Sequence, residues 1–170
     1  MKNTEIFIGI VVHAEKVKEA DIRVKLLTAQ GLQTFTATGA GKANAKLKSA
    51  VQLFIIAEFS VIGHKLVSAH ILETNHGITK DIKRYYLACA ICEVVAQITK
   101  YNVQNTNAFL LTIEALEKLN YPVENCRVIF TEYFSKLLKE LGYDVESDVD
   151  LNTAYARHLD IKIPNTKYFL

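Results

Sequence analysis

"ADIRVKLLTAQGLQTFTAT", residues 20–38, is the stretch that decides the fold. Ile22, Val24 and Leu26 alternate with Asp21, Arg23 and Lys25. A period of two predicts a half-buried strand with Arg23 and Lys25 on its outer face. Gln30-Gly31 then makes a turn into a second strand-like run, which is a hairpin signal. Outward from this hairpin, "EIFIGIVVHA" (Glu5–Ala14) reads as the first strand. "SAVQLFIIAEFSVIG" (Ser49–Gly63) and "HKLVSAHIL" (His64–Leu72) read as the fourth and fifth, joined near Gly63. Short strands at hairpin spacing, with no helix-length insertion, predict a closed five-stranded barrel of the OB-fold type. An open sheet would leave edges to protect.

After Leu72 the period changes. The loop "ETNHGITKD" (Glu73–Asp81) is the expected boundary, giving residues 1–75 as a barrel domain and 76–170 as an all-helical one. Thr79 or Asp81 is placed to cap a helix running to about Tyr101, whose stretch "YYLACAICEVVAQI" is apolar nearly all round, as a central helix is. Thr106 or Asn107 is placed to cap a second, with Phe109, Ile113, Leu116 and Leu119 on one stripe and Pro122 ending it. A third carries Cys126, Ile129, Phe130, Tyr133, Leu137 and Leu141 on one side, with Gly142 as C-cap. Three such helices can bury one another as a bundle. The tail carries the acidic run "DVESDVD", and the pattern predicts a short helix near Ala154–Leu159. The expected class is α+β.

The chain has 170 residues, half of them hydrophobic, enough for a real core. No apolar run reaches the ~20 residues that span a bilayer. Glu5 and His13 bracket the first apolar run, so it reads as a strand and not as a signal peptide. Three cysteines, Cys89, Cys92 and Cys126, are an odd and sparse set that suits a reducing cytoplasm.

Net charge is +2, unevenly spread. Residues 1–57 hold eight Lys or Arg against four Asp or Glu, whereas residues 114–170 hold seven against ten. Between Asp21 and Glu58 there is no acid, while Arg23, Lys25, Lys42, Lys46 and Lys48 all fall there. Such a one-signed segment fits either an anionic partner or a solvated basic face.

"TGAGKANAKLKSAVQLF" (Thr38–Phe54) invites a phosphate-loop reading, but Ala43 follows Gly41-Lys42 where a Walker loop needs a hydroxyl, and Thr36 stands at the first glycine's place. Gly39 and Gly41 are expected to turn the chain sharply through positive φ. Cys89 and Cys92 have C-x-x-C spacing but fall mid-helix in an apolar run, so they read as packing, and no metal is expected. His13, His64, His70, His76 and His158 show no ligand spacing. Glu93 in the central helix is expected to be a buried carboxylate tied by a cap or salt bridge inside the bundle. No catalytic constellation is present, so the expectation is a non-enzyme without cofactor.

In order, the segments resemble the bacterial recombination mediator RecO. Thr28–Gly31 matches that family's T-x-x-G hairpin, Gly39–Lys48 its small, glycine-bearing basic loop, then Ser49 and Leu53-Phe54. "YYLACAICEVVAQIT" is similar to its central helix, with Tyr86 and Glu93 at matching places. "NAFLLTIEALEKL" and "FTEYFSKLLKELGYD" are similar to the two helices after it, so the resemblance spans about Glu5 to Tyr143. RecO chains usually run longer, and many carry a cysteine zinc ribbon where this one has "DVESDVDLNTAYARH" without cysteine, so no zinc is expected.

The resemblance implies a protein of DNA repair that binds single- and double-stranded DNA, anneals strands and helps load recombinase. It implies RecR and the acidic, apolar-ended tail of single-stranded DNA-binding protein as partners. An OB barrel would present Arg23, Lys25, Lys42, Lys46 and Lys48 to the phosphates, with Phe35 either stacking on bases or filling the core. Lys80, Lys83 and Arg84 would flank a groove for the peptide tail. The alternatives are an interaction module that binds an acidic peptide over a passive barrel, and, last, a small-molecule enzyme with a site between the halves.

Overall fold

The computed structural model describes residues 3–99 and 103–143. Among them five strands and three α-helices follow in order: β1 (Thr4–Lys16), β2 (Ile22–Thr28), β3 (Gly31–Ala37), β4 (Ile56–Ile62), β5 (Lys65–Glu73), α1 (Ile82–Ile98), α2 (Thr106–Asn120) and α3 (Cys126–Glu140). The strands close a barrel in the order β1-β2-β3-β5-β4, with β4 returning antiparallel to β1. Closure rests on one parallel junction, where Thr36 of β3 meets Lys65 of β5 and its N–H donates to the His64 carbonyl at 2.9 Å. This is OB-type topology followed by a helical part, and the class is α+β as expected.

The Thr28–Gly31 turn is built by its own residues. The buried Thr28 hydroxyl donates to the Gly31 carbonyl at 2.9 Å and accepts the Gln30 N–H at 3.2 Å. The tip is Ala29-Gln30, and Gly31 opens β3 at φ 103°, which only glycine takes without cost.

The sheet has two apolar faces, not one. Val11, Val24, Leu26, Phe35, Ala57, Phe59 and Val61 fill the barrel. Ile10, Val12, Leu27 and Leu32 point outward, yet are buried, because they pack with α1, α2 and α3 in a second core. That is why β2 loses its alternation after Leu26: the helices cover its outer end. α1 is the hub, touching β1, α2 and α3, with Ile91, Val94 and Val95 almost fully buried.

Several expected boundaries move. The chain from 38 to 55 is a run of turns, not the start of β4. Between its two anchored ends its bonds, such as Lys42 N–H to Gly39 C=O and Lys48 N–H to Ala45 C=O, are local. Its apolar residues are nevertheless buried, Ala50, Val51 and Ile55 in the barrel core and Phe54 in the helical one. Asp81, and not Thr79, caps α1 by accepting the Arg84 N–H at 2.9 Å, and α1 ends at Ile98, short of Tyr101. α2 is capped by Asn105, one or two residues before the expected Thr106 or Asn107, because its carboxamide reaches the Ala108 N–H at 3.0 Å. α3 ends in a full Schellman motif: Tyr143 N–H donates to Leu138 C=O and Gly142 N–H to Lys139 C=O, with Gly142 at φ 83°. The acidic run, the segment "DVESDVDLNTAYARH" and the short helix expected near Ala154–Leu159 lie outside the described residues.

Candidate nucleic-acid interface

Pairing on the barrel's outer face sets the site. His13, Lys25 and Thr34 stand opposite one another across β1, β2 and β3. The neighbouring row is Glu15, Arg23, Thr36 and Lys65, running on to β5. Directly opposed residues share a face, so two rows of basic and hydroxyl side chains lie side by side, with one carboxylate, Glu15, among them. Arg23 and Lys65 are exposed, Lys25 half-buried. Arg23 pairs with Glu15 at 3.1 Å, with both side chains about half exposed. Such a pair contributes only ~0–1 kcal/mol and yields readily to a phosphate.

The basic loop is moored beside these rows. Asp21 accepts the Gly39 N–H at 2.8 Å, and the Ala20 carbonyl accepts the Gly41 N–H at 2.8 Å. Gly39 does adopt φ 70°. Gly41 does not have positive φ, contrary to expectation. It is glycine because a Cβ there would press on the Ala20 backbone at 3.2–3.4 Å. Lys42, Lys46 and Lys48 are all exposed, and none meets a carboxylate within 4 Å among the described residues. Lys16 and Lys18, exposed at the β1–β2 turn to which the loop is tied, add to the same end. Sequence reasoning passed over them, and over Lys65, because only the β3–β5 closure and the mooring bonds bring them near.

Phe35 belongs to the core. It is 7% exposed and its ring stacks on Phe7 at 5.4 Å inside the barrel. Its exposed edge, with Glu5, Gln33, Thr34, Thr36, Gly63 and His64, lines an open depression of about 530 Å³.

Glu93 is the largest correction among single residues. It does not lie in the bundle but is exposed on the α1 surface that faces the barrel. Partial desolvation raises its carboxyl above the ordinary value, and His13 opposes that rise. Cys89 and Cys92 do pack: Cys92 is buried and Cys89 half-buried, and burial pushes both thiols up. No group of three metal-binding side chains occurs among the described residues, and no helix there is long and apolar enough to cross a membrane.

The three residues expected to flank a peptide groove are not equivalent. Lys80 and Lys83 are exposed. Arg84 is half-buried and donates to the Leu119 carbonyl at 3.2 Å, tying α1 to the end of α2. Next to the lysines, Ile82 is 69% and Tyr86 43% exposed.

Two family models match the chain in tandem. "Recombination protein O N terminal" covers residues 1–74, and "Recombination protein O C terminal" covers residues 79–159. The chain belongs to the recombination protein O family. It is similar to the DNA repair protein RecO of Caldanaerobacter subterraneus subsp. tengcongensis, 28% identical over an alignment of 143 residues that covers 79% of this chain. It spans 57% of that relative's length. The two RecO models are separated by residues 75–78, where β5 has given way to the loop before α1, yet the Ile10–Val12–Leu27–Leu32 patch and the helices share one core across that point.

Proposed function

We propose that the chain acts in DNA repair and recombination by binding single- and double-stranded DNA along the outer face of β2, β3 and β5 and the moored loop 38–55. In this reading residues 1–75 hold the nucleic acid and residues 76–170 serve partners, in the cytoplasm, without a catalytic group, metal or cofactor. Annealing of strands and recombinase loading with partner proteins belong to the same proposal, of which the relative's name and the family support the part in repair and recombination. The observation that carries it is a set of exposed lysines, Lys42, Lys46 and Lys48, with no carboxylate partner among the described residues, on a loop tied through Gly39 and Gly41 to Asp21 and Ala20 at the start of the strand that bears Arg23 and Lys25. Phosphates recruit such point charges by releasing condensed counterions. Arg23→Ala with Lys65→Ala tests the row: affinity for a labelled oligonucleotide should fall about equally for all sequences. Unchanged binding would remove these strands from the interface.

A second, compatible reading concerns the helical part. Exposed Ile82 and Tyr86 beside Lys80 and Lys83 suit a peptide that ends in acidic and aromatic residues, such as the tail of single-stranded DNA-binding protein. RecR is a further partner of the proposal, with no residue assigned. Ile82→Asp with Lys83→Glu should abolish capture of such a labelled peptide and spare DNA binding. Capture retained by that variant would count against the surface. A fragment of the barrel alone is not a fair control, because it would bare Ile10, Val12, Leu27 and Leu32.

A further inference from the structure

A crevice of about 450 Å³ opens off the cationic rows, between the barrel and α1. Its apolar lining is Val12, Leu53, Cys89, Cys92 and Ala96. Its two banks are polar and of opposite character. His13 and Lys25 stand on the barrel side, and Glu93 and Gln97, one helical turn apart, on α1. Lys25 and Glu93 line the same gap without closing to 4 Å. The one hydrogen bond the Glu93 carboxylate makes among the described residues is a long one, 3.5 Å from the Gln97 amide.

A carboxylate beside a phosphate track repels the backbone. It becomes favourable only where a ligand offers it N–H donors. Nucleobases offer such donors at their Watson–Crick edges, and an apolar lining suits their faces. The volume lies in the range of small-ligand pockets and exceeds what a single base needs. We propose that this crevice receives one unstacked base of a single strand whose phosphates follow Lys25 and His13, and that Glu93 selects guanine. Guanine's N1–H and N2–H lie side by side and match the two carboxylate oxygens, while the Gln97 amide can turn to its O6. Cytosine and adenine offer only an exocyclic amine there, and thymine a single N–H between two carbonyls. The inference rests on the single-strand reading above and adds a base preference to it.

The test is fluorescence anisotropy with the full chain and oligothymidylates of ~8 nucleotides, within the span of one OB barrel. The central position carries thymine, guanine or hypoxanthine, which lacks the 2-amino group. The readout is the affinity ratio to the all-thymine strand, so the general effect of a lost negative charge cancels. For the natural chain the guanine ratio should be about 10, in the range of a good bidentate contact, and the hypoxanthine ratio clearly lower. In Glu93→Gln, exposed and so expected to fold, the guanine ratio should drop to near one. A ratio near one in the natural chain, or a guanine preference kept by Glu93→Gln, overturns the inference alone. Absence of binding to the all-thymine strand overturns the single-strand reading and this inference with it.

Discussion

The side-chain amide of Asn75 donates to the main-chain carbonyl of Phe54 at 2.9 Å, and both residues hold left-handed backbone, φ 52° and 69°. Phe54 is also fixed from the other side: its N–H donates to the Val11 carbonyl at 3.0 Å, and Val11 N–H to the Ile55 carbonyl at 2.9 Å. Its ring leaves the barrel and meets Tyr85 of α1 edge-on at 5.7 Å. The left-handed turn at a bulky residue, costly by ~1–2 kcal/mol, is thus what sends an aromatic side chain into the helical core. This junction fixes the angle between the basic loop and the helices.

Asn75→Ala should therefore cost about 2 kcal/mol, from an orphaned buried carbonyl and the loss of a residue tolerant of left-handed backbone. Urea denaturation measures it. A loss below ~0.5 kcal/mol would mean that the Phe54 turn stands without Asn75.

Two glycines should respond differently to alanine. Gly77 has ordinary φ, but a Cβ there would overlap the backbone carbonyl of Asn120, whose side chain also accepts the Gly77 N–H at 2.7 Å. Gly63 has φ 58° with open space around it. Gly77→Ala should cost roughly 3 kcal/mol through forced displacement of α2, and Gly63→Ala about 1 kcal/mol through backbone strain alone. Thermal melts rank the two, and the reverse order would contradict the packing described.

Phe35→Ala should behave as a core deletion, costing ~3–5 kcal/mol. Any fall in DNA affinity should track the unfolded fraction. A stable variant that lost single-strand affinity only would restore the ring as a stacking residue.

Alkaline sensitivity follows from two buried groups. Burial raises the Cys92 thiol above 9.0 and the Tyr133 phenol above 10.0. The Thr112 hydroxyl gives its proton to the Ala108 carbonyl at 2.7 Å, so Tyr133 is the donor in their 2.9 Å bond. Above those ordinary values the unfolded chain ionises while the folded one keeps its protons. Stability is thus fully present below about pH 9 and falls as pH rises, by up to ~1.4 kcal/mol per pH unit for each group. Tyr133→Phe should remove the part that sets in near pH 10. An unaltered alkaline profile in that variant would contradict the assignment.

What was legible in the sequence was whatever local period and local capping decide. Ile22, Val24 and Leu26 announced β2, and Gly142 announced the end of α3. The misreadings came from tertiary packing. Leu53 to Ile55 look like strand because they are apolar, but they are apolar to plug two cores from a chain of turns. Glu93 looked buried because its helix neighbours are, yet it sits on the strip of α1 left open opposite Lys25. Lys65 went unseen because the β3–β5 junction joins residues far apart in the chain. The lysines of the loop were legible as charges, while their mooring through Asp21 and Ala20 was not.

The central claim is that Lys42, Lys46 and Lys48 follow a phosphate backbone, and the salt dependence of binding tests it most directly. Anisotropy of a labelled single strand, titrated at several salt concentrations, gives the slope of log K against log salt for the natural chain and for Lys42→Ala with Lys46→Ala and Lys48→Ala. Each lost contact removes ~0.7 from the slope for a single strand. The account predicts a slope flatter by about 2, with weaker binding to every sequence alike. Equal slopes and equal affinities in the two proteins would contradict it and leave the loop a solvated turn.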